Sequence, residues 1–129
     1  MKIIFTGGSG RFGKVFKKRT NLKNIFFPKK KDLNILNLKQ MHKYLSKKKP
    51  DILIHAAGLS RPMDIHEKKI DISIDNNIIG TCNVVKVCKK LKIKLIYLST
   101  SYVYPGLKGN YKETSPLLPY NNYAWSKLG

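Results

Sequence analysis

The stretch "NNYAWSKLG" places Tyr123 and Lys127 four residues apart at the start of an expected helix, one turn from each other. A phenol has a pKa of about 10, too high for easy proton exchange near neutrality. An ammonium one helical turn away stabilises the phenolate and brings that exchange within reach. Such a pair suits hydride transfer between a nicotinamide and a carbonyl or alcohol, with Tyr123 as the acid or base and Lys127 as its tuner. A hydroxyl from Thr100 would hydrogen-bond the same carbonyl oxygen and stabilise the charge that grows on it. The spacing by itself is weak, because Tyr44 with Lys48 and Tyr104 with Lys108 repeat it. The third pair differs in its company: it follows a run ending in "LSTS", and the apolar run before that ends in "HAAG".

Those groups meet only if the chain alternates strands and helices. "KIIFT" predicts a strand, "RFGKVFKKRT" a helix, "NIFF" a second strand closed by Pro28 and three lysines, and "LNIL" a short third strand. "LKQMHKYLSKKK" predicts a helix with Leu38, Met41, His42 and Leu45 on one face, stopped by Pro50. "DILIHAAG" is a continuous apolar strand of the kind found in parallel sheets covered on both sides. After a loop with Pro62 a helical stretch runs to about Leu91, with Ile74, Ile78, Val85 and Cys88 expected on its buried face. "IKLIYLSTS" is the fifth and last strand, followed by a loop rich in Pro and Gly to Pro119. The alternation implies an α/β fold, a doubly wound parallel sheet with right-handed crossovers. In such a sheet the C-terminal strand ends share one crevice.

Gly7, Gly10 and Gly13 stand in "TGGSGRFG", between the first strand and its helix. That context suits a dinucleotide: a tight turn, a backbone close enough to touch pyrophosphate, and a helix N-terminus aimed at negative charge. The segment "GSGRFGKV" also approaches a triphosphate-binding loop, with Gly8, Gly13 and Lys14 at the right spacing. Val15, however, sits where a Ser or Thr must hold magnesium.

Composition excludes several classes. The chain carries 23 Lys and 3 Arg against 7 acids, a formal charge of +19. It also carries 14 Ile and 10 Asn against 3 Ala, the signature of A- and T-rich codons. The lysines are spread through every segment and the aromatics stand apart from them, so no nucleic-acid-binding stripe forms. Cys82 and Cys88 lack the spacing of a zinc site or a redox pair, and no metal site is expected. No apolar run reaches the roughly 18 residues of a membrane span. The N-terminus becomes glycine-rich too early for a signal peptide. A soluble, cytoplasmic protein is expected, with neither nucleic acid nor membrane as partner.

The motifs "TGGSGRFG", "HAAG", "NIIGTCNVV", "LIYLSTSYVYPG" and "ETSPLLPYNNYAWSKLG" resemble, in order and across the whole chain, those of the extended short-chain dehydrogenase/reductases, the NAD-dependent epimerase/dehydratase family. Within it the chain is most similar to the sugar-nucleotide branch, and "STSYVYPG" resembles the segment found in dTDP-4-dehydrorhamnose reductases. The resemblance implies a Rossmann fold and Thr100, Tyr123 and Lys127 as a catalytic trio. It also implies that Asn77 steadies the lysine through water. Gly7, Gly10 and Gly13 would hold the cofactor pyrophosphate, with Ala56, Ala57 and Gly58 along its adenosine and ribose side. Ser9, Arg11, Phe12, Lys29, Asp32 and Leu33 join the implied cofactor contacts, as do Tyr123 and Lys127 themselves. Ser101 stands where the reductase branch usually has an acid, and His55 replaces a more common apolar residue or Asn.

Asp32 fits the count for a residue that reads the ribose 2′-hydroxyl of NAD. Lys29, Lys30 and Lys31 follow the second strand directly, and with Arg11 they favour the extra phosphate of NADP. The expected substrate is a 4-keto nucleotide sugar reduced at its carbonyl, with an epimerase or dehydratase using bound NAD, or a non-catalytic nucleotide-binding module, as the alternatives. Residues 1–129 are expected to form an incomplete dinucleotide-binding domain, truncated after the fifth strand and without the C-terminal substrate-binding region. On that expectation the helix bearing Tyr123 frays, the 129-residue chain is inactive, and the edge of "LIYLS" invites a homodimer or self-association.

Overall fold

The computed structural model describes all of residues 1–129. Four parallel strands form its sheet: β1 (Ile3–Thr6), β2 (Ile25–Phe26), β3 (Ile52–His55) and β4 (Lys94–Tyr97), in the spatial order β2-β1-β3-β4. The register aligns Thr6 with His55 and His55 with Tyr97, so the three strand ends stand side by side on one rim. Helices α1 (Arg11–Arg19), α2 (Leu38–Lys48) and α5 (Gly80–Leu91) cover the faces.

The alternation of side chains along β1 divides the two cores. Ile4 points to the face covered by α2 and α5, where Met41, Leu45, Leu53, Val84, Val87 and Cys88 close around it. Phe5 points the other way, stacking on Phe16 of α1 at 5.0 Å and packing at a tilt against Phe27 at 5.2 Å. The doubly wound parallel sheet expected from the sequence is therefore present.

Four strands form rather than five, because "LNIL" is not extended. The amides of Asp32 and Leu33 both bond the Lys29 carbonyl. Asn34 accepts from Leu36, its own amide donates to Gln40 Oε1, and Asn37 caps α2 by accepting from the Gln40 amide. These local side-chain bonds divert the backbone from a sheet ladder. Leu33 and Ile35 are buried as plugs beneath α2 and α5.

The long helical stretch is also broken. It comprises α3 (Ile65–Lys68), α4 (Ile70–Ser73), a π-helical turn at Ile74–Ile79, and α5. In the π turn Asn76 Nδ2 donates to the Ile72 carbonyl, the acceptor its own amide would use in an α-helix. The buried face differs from the one expected. Ile74 is 39% exposed and Val85 46%, while Ser73, Asn77, Val84 and Val87 are buried beside Cys88. Buried polar groups are tolerated when paired, and apolar periodicity does not register them. The last helix, α6 (Asn122–Leu128), is capped by Asn121, whose side chain accepts from the Ala124 amide at 2.8 Å.

Among charged groups only Lys68 and Asp64 pair in a salt bridge, at 3.2 Å. Cys82 and Cys88 are free thiols, and burial pushes that of Cys88 up to about 11. No helix is long and apolar enough to cross a membrane, and no cluster of His, Cys, Asp and Glu could hold a metal.

Candidate functional site

The rim formed by the strand ends opens into two adjoining cavities. One of about 230 Å³ is walled by Gly7, Gly8, Ser9 and Gly10, by Lys30 and Leu33, and by Ala56, Ala57 and Gly58. The other, about 430 Å³, is walled by Phe12, Leu59, Ser99, Tyr97, Tyr123 and Lys127. Ala56 and Gly58 belong to both, so the cavities form one continuous crevice.

The glycine end is shaped by backbone packed on backbone. Gly7 has φ +80°, and a Cβ there would lie 2.7 Å from the Ala56 carbonyl carbon and oxygen. At Gly13 a Cβ would collide with the Gly7 carbonyl oxygen and come within 2.7 Å of Gly8 Cα. The turn is closed by the Gly10 amide bonding the Gly7 carbonyl at 3.0 Å. Only glycine permits this close approach. Arg11 is exposed at the first residue of α1.

The sequence-predicted cofactor residues therefore divide. Gly7, Ser9, Gly10, Leu33, Ala56, Ala57 and Gly58 line the glycine end, and Phe12 lines the other cavity. Gly13 is buried beneath the turn. Lys29 and Asp32 do not line the crevice, whereas Lys30, between them, does.

The other end is built from side chains. Tyr123 and Lys127 face the 430 Å³ cavity from α6. The Tyr123 ring is held between His66, at 4.9 Å between centroids, and Tyr102, edge-on at 6.0 Å. His66 is fully buried, its Nδ1 is 2.7 Å from Ser73 Oγ, and its Nε2 has no partner. Burial holds its pKa below the ordinary histidine value, with Glu67 opposing. Burial also lowers Lys127, to about 8, so the ammonium is mostly charged at neutral pH and half discharged one unit higher.

Asn77 is 2% exposed and fully engaged. Its Nδ2 donates to the Leu59 carbonyl and to Ser126 Oγ, each at 2.8 Å, and its Oδ1 accepts from the Leu59 amide at 2.7 Å. The bond to Ser126 connects Asn77 to the residue before Lys127. Asn122 Nδ2 also donates to Glu67 Oε2 at 2.7 Å, a second side-chain bond from α6 to the rest of the chain. Thr100 accepts from the Tyr102 amide at 3.3 Å and caps a short turn at Ser101–Val103. Its hydroxyl retains a donor, while Ser99 rather than Thr100 lines the cavity.

The two control pairs lie elsewhere. Tyr44 and Lys48 are on α2, where burial and Asp32 raise the Tyr44 pKa, the direction opposite to activation. Tyr104 stacks flat on Tyr111 at 4.9 Å. Sequence reasoning missed Tyr97, His66, Ser73 and Ser126 as neighbours of the pair. Only Tyr97 carried a signal, since it precedes "LSTS" as His55 precedes "AAG".

Residues 1–129 match the family described as RmlD substrate binding domain. The chain is similar to a dTDP-4-dehydrorhamnose reductase from Bacillus anthracis, solved in complex with NADP, at 34% identity and a TM-score of 0.89, covering 99% of this chain and 47% of that one. A dTDP-4-dehydrorhamnose reductase ortholog from Clostridium acetobutylicum is 27% identical with a TM-score of 0.86, over 99% of this chain and 46% of that one. Among curated proteins, methionine adenosyltransferase 2 subunit beta from Xenopus laevis is 33% identical over 101 residues, 78% of this chain and 30% of that protein. GDP-L-colitose synthase from Yersinia pseudotuberculosis is 33% identical over 109 residues, 81% of this chain and 35% of the relative. The chain spans less than half the length of these relatives.

Proposed function

The chain belongs to the RmlD substrate binding domain family, and on that footing we propose that it is the dinucleotide-binding part of an NADP-dependent reductase of 4-keto nucleotide sugars. The observation that carries this reading is the single crevice, with a glycine turn at one end and Tyr123 and Lys127 at the other. A dinucleotide fits those residues. The space that a Cβ at Gly7 or Gly13 would fill suits a pyrophosphate, and the Lys30 ammonium at the glycine end suits a ribose 2′-phosphate. The NADP bound to the Bacillus anthracis reductase supports the same choice of cofactor.

When bound, the dinucleotide supplies the hydride. Tyr123 donates its phenolic proton to the keto oxygen, and the Lys127 ammonium stabilises the phenolate left behind. Thr100, next to the cavity-lining Ser99, keeps a free hydroxyl proton that reaches the same oxygen by turning toward the cavity, where it would stabilise the developing negative charge. Asn77, through Ser126, fixes the helix on which both groups stand.

A second reading, a dinucleotide-binding subunit without turnover, draws on the Xenopus relative, whose name describes a subunit of an adenosyltransferase. One experiment separates the two. Titration with NADPH and NADH by fluorescence should show tighter binding of NADPH, and in a chain extended to the full length of its relatives a 4-keto nucleotide sugar should drive NADPH oxidation. Tyr123→Phe should then slow turnover by at least about a hundredfold with binding kept, while Tyr44→Phe changes neither. Binding without turnover in that extended chain selects the subunit reading. Failure to bind either dinucleotide excludes both.

A further inference from the structure

We infer that Tyr97 is a positioning residue that grips Lys127 by its ring face and its hydroxyl, with His55 a neutral prop behind the ring. The inference rests on the oxidoreductase reading for its consequence, but its geometry stands independently.

His55 and Tyr97 are register partners on adjacent strands, so their side chains leave the sheet on the same face. Their rings are 5.7 Å apart between centroids and only 28° from parallel. The Lys127 ammonium sits 4.1 Å from the centroid of the same Tyr97 ring, within cation–π range. The Tyr97 hydroxyl donates to the Lys127 carbonyl at 3.3 Å. One side chain thus holds both the main chain and the charged end of one residue. A lysine stem has four rotatable carbons and a strongly hydrated head. Without such a grip the ammonium would sweep the 430 Å³ cavity rather than stay on the Tyr97 ring.

His55 makes the grip possible by staying uncharged. It is fully buried, and both ring nitrogens are occupied, Nδ1 with Thr6 Oγ1 at 2.8 Å and Nε2 with Thr81 Oγ1 at 3.1 Å. Burial first, and the nearby Lys127 charge second, lower its pKa to about 4. A protonated imidazole would set a second cation behind the ring and repel the ammonium. A neutral imidazole instead backs the ring with apolar surface. The His that replaces a more common residue in the "HAAG" motif therefore acts through Tyr97 on Lys127.

The test combines NADPH affinity with an NMR signature independent of binding. An aromatic face shields what lies above it, so the Lys127 ε-methylene protons should resonate upfield in the native chain and in Tyr97→Phe, and return to the ordinary position in Tyr97→Leu. Tyr97→Leu should weaken NADPH by about tenfold, Tyr97→Phe by no more than about threefold. In a Lys127→Ala background Tyr97→Leu should add no further loss, because the residue it acts through is gone. Additive losses in the double variant, or ordinary ε-methylene shifts in the native chain, overturn the inference. Should Tyr97→Leu fail to fold, Tyr97→Met removes the ring with a side chain that adapts to the gap. If the native chain binds no dinucleotide, the oxidoreductase reading falls, and the NMR shifts alone decide the grip.

Discussion

At the glycine end of the crevice, backbone packs on backbone until no side chain fits, whereas at the other end Tyr123 and Lys127 stand on a seven-residue helix held by rings and side-chain hydrogen bonds. The first region is lined by no histidine. The second contains His55, His66 and Lys127, all with pKa values shifted by burial. The difference teaches where each region is vulnerable. Steric change breaks the glycine turn, while a change of proton or hydrogen bond loosens the corner around α6.

The sharpest way to break this contrast is Gly13→Ala. Its methyl group has nowhere to go, since the atoms it meets belong to the backbone of Gly7 and Gly8. The expected cost is at least about 3 kcal/mol of stability, with NADPH binding weakened roughly a hundredfold, about 2.7 kcal/mol. Denaturant unfolding and a fluorescence titration measure the two. A variant as stable and as tight as the native chain would show that the turn can yield.

Acid should act on the other region. His55 has a folded pKa of about 4 against an ordinary 6.5, so the unfolded chain binds its proton more readily. The stability His55 contributes is fully present above pH 6.5 and is lost as pH falls toward 4, by about 3 kcal/mol. His66 is shifted in the same direction. Unfolding curves taken across that window should show the decline, and His55→Gln, which keeps a hydrogen-bonding side chain but cannot titrate, should flatten it. An unchanged slope in His55→Gln would remove His55 from the account.

The smallest effect expected is that of Asn77→Ala. It strands the Leu59 amide and carbonyl and frees Ser126, for about 2 kcal/mol. Turnover should fall with the loosening of α6, while affinity for ADP-ribose 2′-phosphate, a probe of the glycine end alone, stays within about threefold. Calorimetric titration of that probe checks the separation. Equal losses at both ends would mean that the crevice is one cooperative unit.

The same contrast explains what could be read in advance. The glycine turn, the order of strands and helices, and the crevice shared by "HAAG" and "LSTS" follow from patterns a few residues long. Each turn, strand or helix depends on its own neighbours in the chain. The pairing of Tyr123 with Lys127 is equally local, since one helical turn separates them.

Side-chain hydrogen bonds, local or across long stretches of chain, were not legible in this way. "LNIL" has the composition of a strand, yet bonds from Asn34, Asn37 and Gln40 hold it in turns. The apolar pattern after Pro62 pointed to Ile74 and Val85, but the polar Ser73 and Asn77 are buried because His66, Leu59 and Ser126 satisfy them. Lys29, Lys30 and Lys31 are chemically alike, and only the turn through Lys29 and Leu33 decides that Lys30 lines the crevice. Hydrophobic periodicity and spacing thus determined, from sequence alone, the order of the elements and where the glycine turn and the Tyr123 and Lys127 pair stand among them. Tertiary structure alone decided which polar groups are satisfied by distant partners, and therefore that Tyr123 rests between His66 and Tyr102, and Lys127 on Tyr97.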